Sequence, residues 1–143
     1  RLLIAAAEYG DDLRLGKIML DQSSEMYRKL RNTLRYLLGA LKNFEESERV
    51  PWIAGVLAGE TPAIQERLPL LERWLLHRLW ELDRAVRGAY GTYQFRIALQ
   101  AIVEFCNVDL SAFYVDVRKD ALYCDAPSSF RRRACRTVLV MTR

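Results

Sequence analysis

The stretch that decides the fold is EMYRKLRNTLRYLLGAL, residues 25–41. When this stretch is placed on a helix at about 100° per residue, its apolar side chains fall within an arc of roughly 120°. These side chains, with one that follows shortly after, are Met26, Tyr27, Leu30, Leu34, Leu37, Leu38, Leu41 and Phe44. A face this wide is typical of a helix that packs against others, so the stretch predicts a long helix of an α-helical bundle.

A row of cations lies beside this apolar face. Arg28, Arg31 and Arg35, with Lys42 beyond them, fall within roughly 60° of one another on the same helix. Guanidinium groups spaced along a helix can bridge phosphates or stack on unpaired bases, and the neighbouring Asn32 could read a base edge. We interpret the helix as an RNA-binding element. The alternative is that these arginines are only solvated, as most charged stripes on helices are.

Composition agrees with a single globular domain. The chain has 143 residues, of which 51% are apolar and 28% charged, and its formal net charge is +4. Such a chain can bury a core, and a mildly basic balance permits a nucleic-acid partner without demanding one. The positive excess is concentrated in two places: residues 21–44 carry five cations against two acids, and residues 128–143 carry five arginines and no acid.

Several classes of protein and site are disfavoured. No apolar run approaches the roughly 20 residues that span a bilayer, and no secretory signal is recognisable, so we expect a cytoplasmic protein without a membrane partner. The three cysteines, Cys106, Cys124 and Cys135, include no C-x-x-C pair, and His77 is the only histidine. We therefore expect reduced thiols and no bound metal.

The remaining sequence also has helical patterns. The first helix should run from near Lys17 to about Asn43, and Gly39 within it suggests the close approach of a neighbouring helix. A second helix, from about Leu68 to Ala89, has an apolar stripe with Trp80 on the opposite side, either as a contact residue or packed on another segment. Residues 46–66 between them form a connection of weak pattern.

A third helical region begins at Phe95 and is either one bent helix or two helices in series. A break at residues 123–127 precedes a last helix that Ser128 or Ser129 caps. Its apolar side is predicted to carry Phe130, Ala134, Val138 and Met141. No stretch shows sustained alternation, so the predicted fold class is all-α.

No catalytic constellation is recognisable. Asp109 and Asp116 are seven residues apart and would share a face of a regular helix, but we interpret them as polar helix positions rather than an acid–base pair. Arg118 and Lys119 lie toward a helix end, where capping competes with an RNA-binding role. The positive evidence is for binding.

Several separated stretches, in order, resemble the isoleucyl-tRNA synthetases, which are class I aminoacyl-tRNA synthetases. The longest are YRKLRNTLRYLL at residues 27–38 and FCNVDLSAFYVD at residues 105–116. The others are YGDDLRLG at 9–16, Lys119-Asp120, YCDAP at 123–127, Arg131-Arg132-Arg133 and Thr137-Val138-Leu139. The resemblance covers nearly the whole chain and departs freely only at residues 46–66.

The resemblance implies an anticodon-binding helical bundle over residues 17–143, truncated at its C-terminus, after a catalytic-domain junction over residues 1–16. It implies binding of the anticodon stem-loop of isoleucine tRNA by a monomer, with Arg28, Arg31, Asn32 and Arg35 as contacts and Arg118 and Lys119 next. No DNA partner is expected.

The complete enzyme would join isoleucine to its tRNA with ATP and magnesium. The HIGH and KMSKS signatures of class I synthetases are absent from this chain, so we expect no cofactor and no catalysis here. The alternative function is a helical protein-interaction or scaffold domain without an RNA role.

Overall fold

Helices make up most of the described structure. The computed structural model describes residues 1–7, 16–50 and 68–142, and no strand occurs within these ranges, which confirms the all-α prediction. The helices are α1 (Leu2–Ala6), α2 (Lys17–Ala40), α3 (Leu70–Gly91), α4 (Phe95–Glu104), a π-helical segment (Phe105–Val115), α5 (Asp116–Tyr123) and α6 (Phe130–Met141), with a 3₁₀ turn at Glu46–Glu48. Most of the predicted junction at 9–16 and of the connection at 46–66 lies outside the described residues.

The first two long helices begin and end within a few residues of their predicted limits. α2 ends at Ala40, three residues before the predicted Asn43, and Asn43 has a φ of 58°. Asparagine tolerates this left-handed conformation better than most residues, so the chain turns there. Tyr93, shortly after α3, has the same φ and separates α3 from α4.

The third helical region is one continuous helix whose middle is π-helical. It runs over Phe95–Tyr123, and by length and composition alone it could cross a membrane. This helix packs against α3 through α4 and the π segment, and against α6 through α5. We therefore describe it as the central helix of the bundle. π-helical turns inside α-helices are rare and often lie at functional positions.

The core forms where the central helix meets its neighbours. Leu37 of α2, Leu75 of α3, and Leu110 and Tyr114 of the π segment are almost completely buried. In α6, all six residues at 134–139 are buried, including an arginine and a threonine. More of α6 is therefore buried than its predicted apolar side alone. Phe130, which was predicted to lie on that side, is 46% exposed.

Only part of the predicted apolar face of α2 is buried. Leu37 and Leu41 are buried, but Tyr27, Leu34 and Leu38 are 54%, 47% and 59% exposed. The reason is that α2 packs mainly against α1 and the π segment, so the described helices cover one side of its apolar arc.

Within residues 1–7, 16–50 and 68–142, no helix approaches Gly39 closely, so the described structure does not support the expected close approach. A Cβ atom added there would meet nothing within 4 Å among the described residues. Alanine at a helical position costs about 1 kcal/mol less than glycine. We expect Gly39→Ala to raise the free energy of unfolding by about that amount in denaturant titration. A loss of stability would instead indicate a contact that this geometry lacks.

Candidate nucleic-acid interface

The predicted cationic row lies on the outer side of α2. The side chains of Arg28, Arg31, Asn32 and Arg35 are all exposed. No hydrogen bond or ion pair joins these four side chains to another described residue. The structure therefore brings the four predicted contacts of α2 together on one solvent-facing surface, here called the α2 row.

A buried threonine fixes the rotation of α2 about its axis. The Thr33 hydroxyl donates to the Lys29 carbonyl oxygen at 3.1 Å and lies 2.9 Å from the Ser111 hydroxyl of the π segment. Thr33 and Leu37 are the buried residues of α2. Because residues 33 and 37 project on the side roughly opposite to residues 31 and 35, this contact directs the α2 row outward.

Arg118 occupies an interior position. Its Nε and Nη2 atoms donate to the two carboxylate oxygens of Glu72, each at 2.6 Å, and the Tyr114 hydroxyl donates to Glu72 Oε1 at 3.2 Å. The Glu72 side chain is 0% exposed and that of Arg118 is 13% exposed. Burial opposes the charge of Arg118, but the Glu72 hydrogen bond and charge outweigh it, so the pKa of Arg118 is raised.

This buried ion pair was not predicted from the sequence, although the position of Glu72 indicates that it needs a buried partner. Glu72 falls within the apolar stripe of α3, between Leu71 and Leu75, where a charged side chain requires a buried partner. Its partner is 46 residues further along the chain. Neither the capping role nor the RNA-binding role weighed for Arg118 includes this arrangement.

Lys119, by contrast, is exposed. Its ammonium group lies 2.6 Å from Asp116 Oδ1, and this hydrogen bond raises the pKa of Lys119. Exposed pairs of this kind contribute little to stability and exchange readily for other partners. Lys119 therefore remains able to meet an anion, but it lies on α5 and not on the α2 row.

The two aspartates considered as an acid–base pair lie in different surroundings. Asp109 is buried and accepts hydrogen bonds from Arg78 Nε and Nη2 at 3.2 and 2.9 Å, whereas Asp116 is exposed beside Lys119. They do not share a face because the intervening π segment has more residues per turn than an α-helix. Each is an ion-pair partner, in agreement with their interpretation as polar helix positions.

The second basic segment is largely engaged within the domain. Arg136 donates to the Glu48 carboxylate and to the Lys42 carbonyl oxygen, and Arg133 donates to the Glu48 carbonyl oxygen. Arg131 forms two hydrogen bonds with the Asp125 carboxylate, at 2.6 and 2.8 Å. These hydrogen bonds join α6 to residues 42–50 and to the turn before α6. The three guanidinium groups are therefore bound by carboxylates or carbonyl oxygens of the same domain.

No disulfide joins the three cysteines. Cys135 is completely buried and burial raises its pKa to about 12, whereas Cys124 is exposed. Within the three described ranges, no group of three or more His, Cys, Asp or Glu side chains is placed to hold a metal ion.

The chain resembles parts of tRNA ligases. Residues 72–142 match the family described as the anticodon-binding domain of tRNA ligase. The chain is 49% identical over 139 residues to isoleucine–tRNA ligase of Caulobacter vibrioides, 49% over 134 residues to that of Brucella abortus biovar 1, and 42% over 142 residues to that of Synechococcus sp.. These matches cover 97%, 94% and 99% of this chain but 13%, 12% and 14% of those proteins, so the chain spans about 13% of their length.

Proposed function

Because the chain belongs to the family of anticodon-binding domains of tRNA ligases, we propose that its α2 row binds the anticodon arm of an isoleucine tRNA. In this proposal Arg28, Arg31 and Arg35 meet phosphates or stack on unpaired bases, and Asn32 reads a base edge. The family match begins at residue 72, whereas the similarity to isoleucine–tRNA ligases extends over α2 as well.

The observation that supports this assignment is the contrast between the two basic segments. The arginines of α6 are engaged by carboxylates and carbonyl oxygens of the same domain, whereas those of α2 have no partner among the described residues. Over seven residues of helix, the α2 row extends about 10 Å, enough to meet two or three phosphates. Lys119 is a further candidate contact, whereas Arg118 is held by Glu72.

The alternative function, a protein-interaction or scaffold domain, predicts a different arrangement of the same arginines. A protein-docking surface would be favoured by arginines paired internally beside an open apolar groove. The four side chains of the α2 row have no such pairing among the described residues, and the family is one of tRNA-ligase anticodon-binding domains. The unpaired arginines therefore favour RNA binding over docking, although Tyr27, Leu34 and Leu38 also expose apolar surface on α2.

For the complete protein, we propose isoleucine–tRNA ligase activity in the cytoplasm, with ATP and magnesium bound by segments that carry the HIGH and KMSKS signatures. Neither signature occurs in this chain, so the chain alone should not support isoleucine-dependent exchange of pyrophosphate into ATP. We also propose that the protein is a monomer.

The test of the α2 proposal is a titration of the chain with a fluorescent anticodon stem-loop of an isoleucine tRNA at several salt concentrations. The expected result is binding that weakens as salt rises, with a slope of about −2 to −3 in log K against log salt for three phosphate contacts. A stem-loop from a tRNA for another amino acid is the control. Failure to bind either stem-loop at low salt would contradict the proposal.

A further inference from the structure

A second stripe of basic and aromatic residues runs along the exposed side of α3. Arg73, His77, Trp80, Arg84 and Arg87 follow one another at alternating steps of four and three residues, and all five are exposed. Steps of this size place side chains in one row on a helix. This set, here called the α3 stripe, projects away from the core.

The acids of α3 do not fall within this stripe. On a projection of about 100° per residue, Glu72, Glu81 and Asp83 lie outside the arc that holds the α3 stripe. Glu72 is buried on the side that faces Arg118. The α3 stripe itself contains no acid, but two acids flank it: Glu81 Oε1 lies 3.4 Å from His77 Nε2, and Asp83 pairs with Arg87.

Three side chains of the α3 stripe form a stacked column. The rings of His77 and Trp80 are 5.9 Å apart between centroids with an interplanar angle of 22°, and Arg84 Cζ lies 4.8 Å from the Trp80 ring centroid. Because His77 precedes Trp80 by three residues and Arg84 follows it by four, the two reach the indole from opposite ends along the helix. Trp80 nevertheless remains 53% exposed, which decides against the packed role that the sequence left open.

The cations of the α3 stripe are available to an anion. Arg73 and Arg84 have no carboxylate partner among the described residues. Arg87 pairs with Asp83 at 2.7 Å, and both side chains are more than half exposed. Such exposed pairs contribute little to stability and can be exchanged for phosphate contacts.

We infer that the α3 stripe is a second RNA-binding surface, which takes phosphates at Arg73, Arg84 and Arg87 and stacks an unpaired base against the His77–Trp80–Arg84 column. A nucleotide strand supplies an anionic group and a planar ring in every unit, which is the combination that the α3 stripe fits. The stripe extends about 21 Å along α3, the length of a few nucleotides. The inference rests on the proposed function in one respect, that the physiological RNA is tRNA.

The test uses a fluorescent oligouridylate, a single strand without an anticodon arm, in anisotropy titrations of the chain. We expect Trp80→Ala to weaken binding by about 5- to 150-fold, the range for loss of one stacked base. We expect the double variant Arg73→Gln/Arg84→Gln to reduce the salt slope of log K by about 1.4, since each single-strand phosphate contact contributes about 0.7. Tyr90→Ala, which removes another exposed aromatic of α3 outside the stripe, is the matched control and should leave the affinity unchanged.

The outcomes separate this inference from the α2 proposal. If the unaltered chain does not bind oligouridylate, or if Trp80→Ala and the double variant bind it as the unaltered chain does, the α3 inference is overturned, whatever the stem-loop result. If oligouridylate binding depends on the α3 stripe while the anticodon stem-loop does not bind, the α3 inference is supported and the α2 proposal fails. Equal melting temperatures will show that the variants are folded.

Discussion

Replacing Glu72 by alanine is expected to lower the free energy of unfolding by about 3–5 kcal/mol, the usual cost of removing one partner of a buried ion pair. The Glu72 carboxylate accepts two hydrogen bonds from Arg118 and one from Tyr114, and it is completely buried. Its removal would leave a guanidinium and a hydroxyl without partners in the interior. For a chain of this length, the melting temperature should fall by about 10 °C or more.

The control for this prediction is an exposed ion pair on the same helix. Asp83 and Arg87 are 2.7 Å apart with side chains that are 53% and 78% exposed, so Asp83→Ala should change the free energy of unfolding far less than Glu72→Ala does. Replacing both buried partners, as in Glu72→Leu/Arg118→Met, should recover much of the loss because no unpaired charge remains. A Glu72→Ala variant as stable as Asp83→Ala would contradict the buried network.

The second large effect concerns the α2 row in the complete isoleucine–tRNA ligase that we propose contains this chain. Arg31→Ala/Arg35→Ala is expected to raise KM for isoleucine tRNA by about 30-fold or more, since two contacts of about 1–3 kcal/mol each are lost. Because this chain carries neither the HIGH nor the KMSKS signature, the loss of RNA contacts from the α2 row should appear mainly in KM. Isoleucine-dependent pyrophosphate exchange, which needs no tRNA, should stay unchanged.

The matched control for the double variant is Lys29→Ala. Lys29 is exposed on the same helix but projects about 100° away from Arg28, and it pairs with Glu25 at 3.4 Å. Its replacement should leave KM for tRNA close to that of the unaltered enzyme. An equal rise in KM for both variants would indicate a general loss of positive charge, and unchanged KM in the double variant would rule out the α2 row as the contact surface.

The helices and the α2 row could be predicted from the sequence because both depend on local spacing. The period of apolar residues located α2 and α3 to within a few residues, and the same period grouped Arg28, Arg31 and Arg35. The spacing of apolar residues does not show which of them a neighbouring helix will bury. Tyr27, Leu34 and Leu38 belong to the same arc as Leu37 but are exposed, because that decision depends on where distant segments pack.

The ion pairs between helices could not be predicted for a related reason. Arg118 meets Glu72 across 46 residues and Arg136 meets Glu48 across 88 residues, so no local pattern connects them. The π segment also could not be predicted. A regular α-helix would place Asp109 and Asp116 on one face, whereas the π segment places them on different faces. The α3 stripe is different, since its four- and three-residue steps are visible in the sequence but were overshadowed by the stronger apolar stripe of the same helix.

The most direct test of the central claim, that the α2 row binds the anticodon arm, is to measure both stem-loop affinity and melting temperature on Arg31→Ala. Arg31 is exposed and alanine is a good helix former, so the account predicts weaker binding by about fivefold or more with an unchanged melting temperature. Unchanged affinity for the isoleucine stem-loop would contradict the claim, and a lowered melting temperature beside it would mark Arg31 as a structural residue instead.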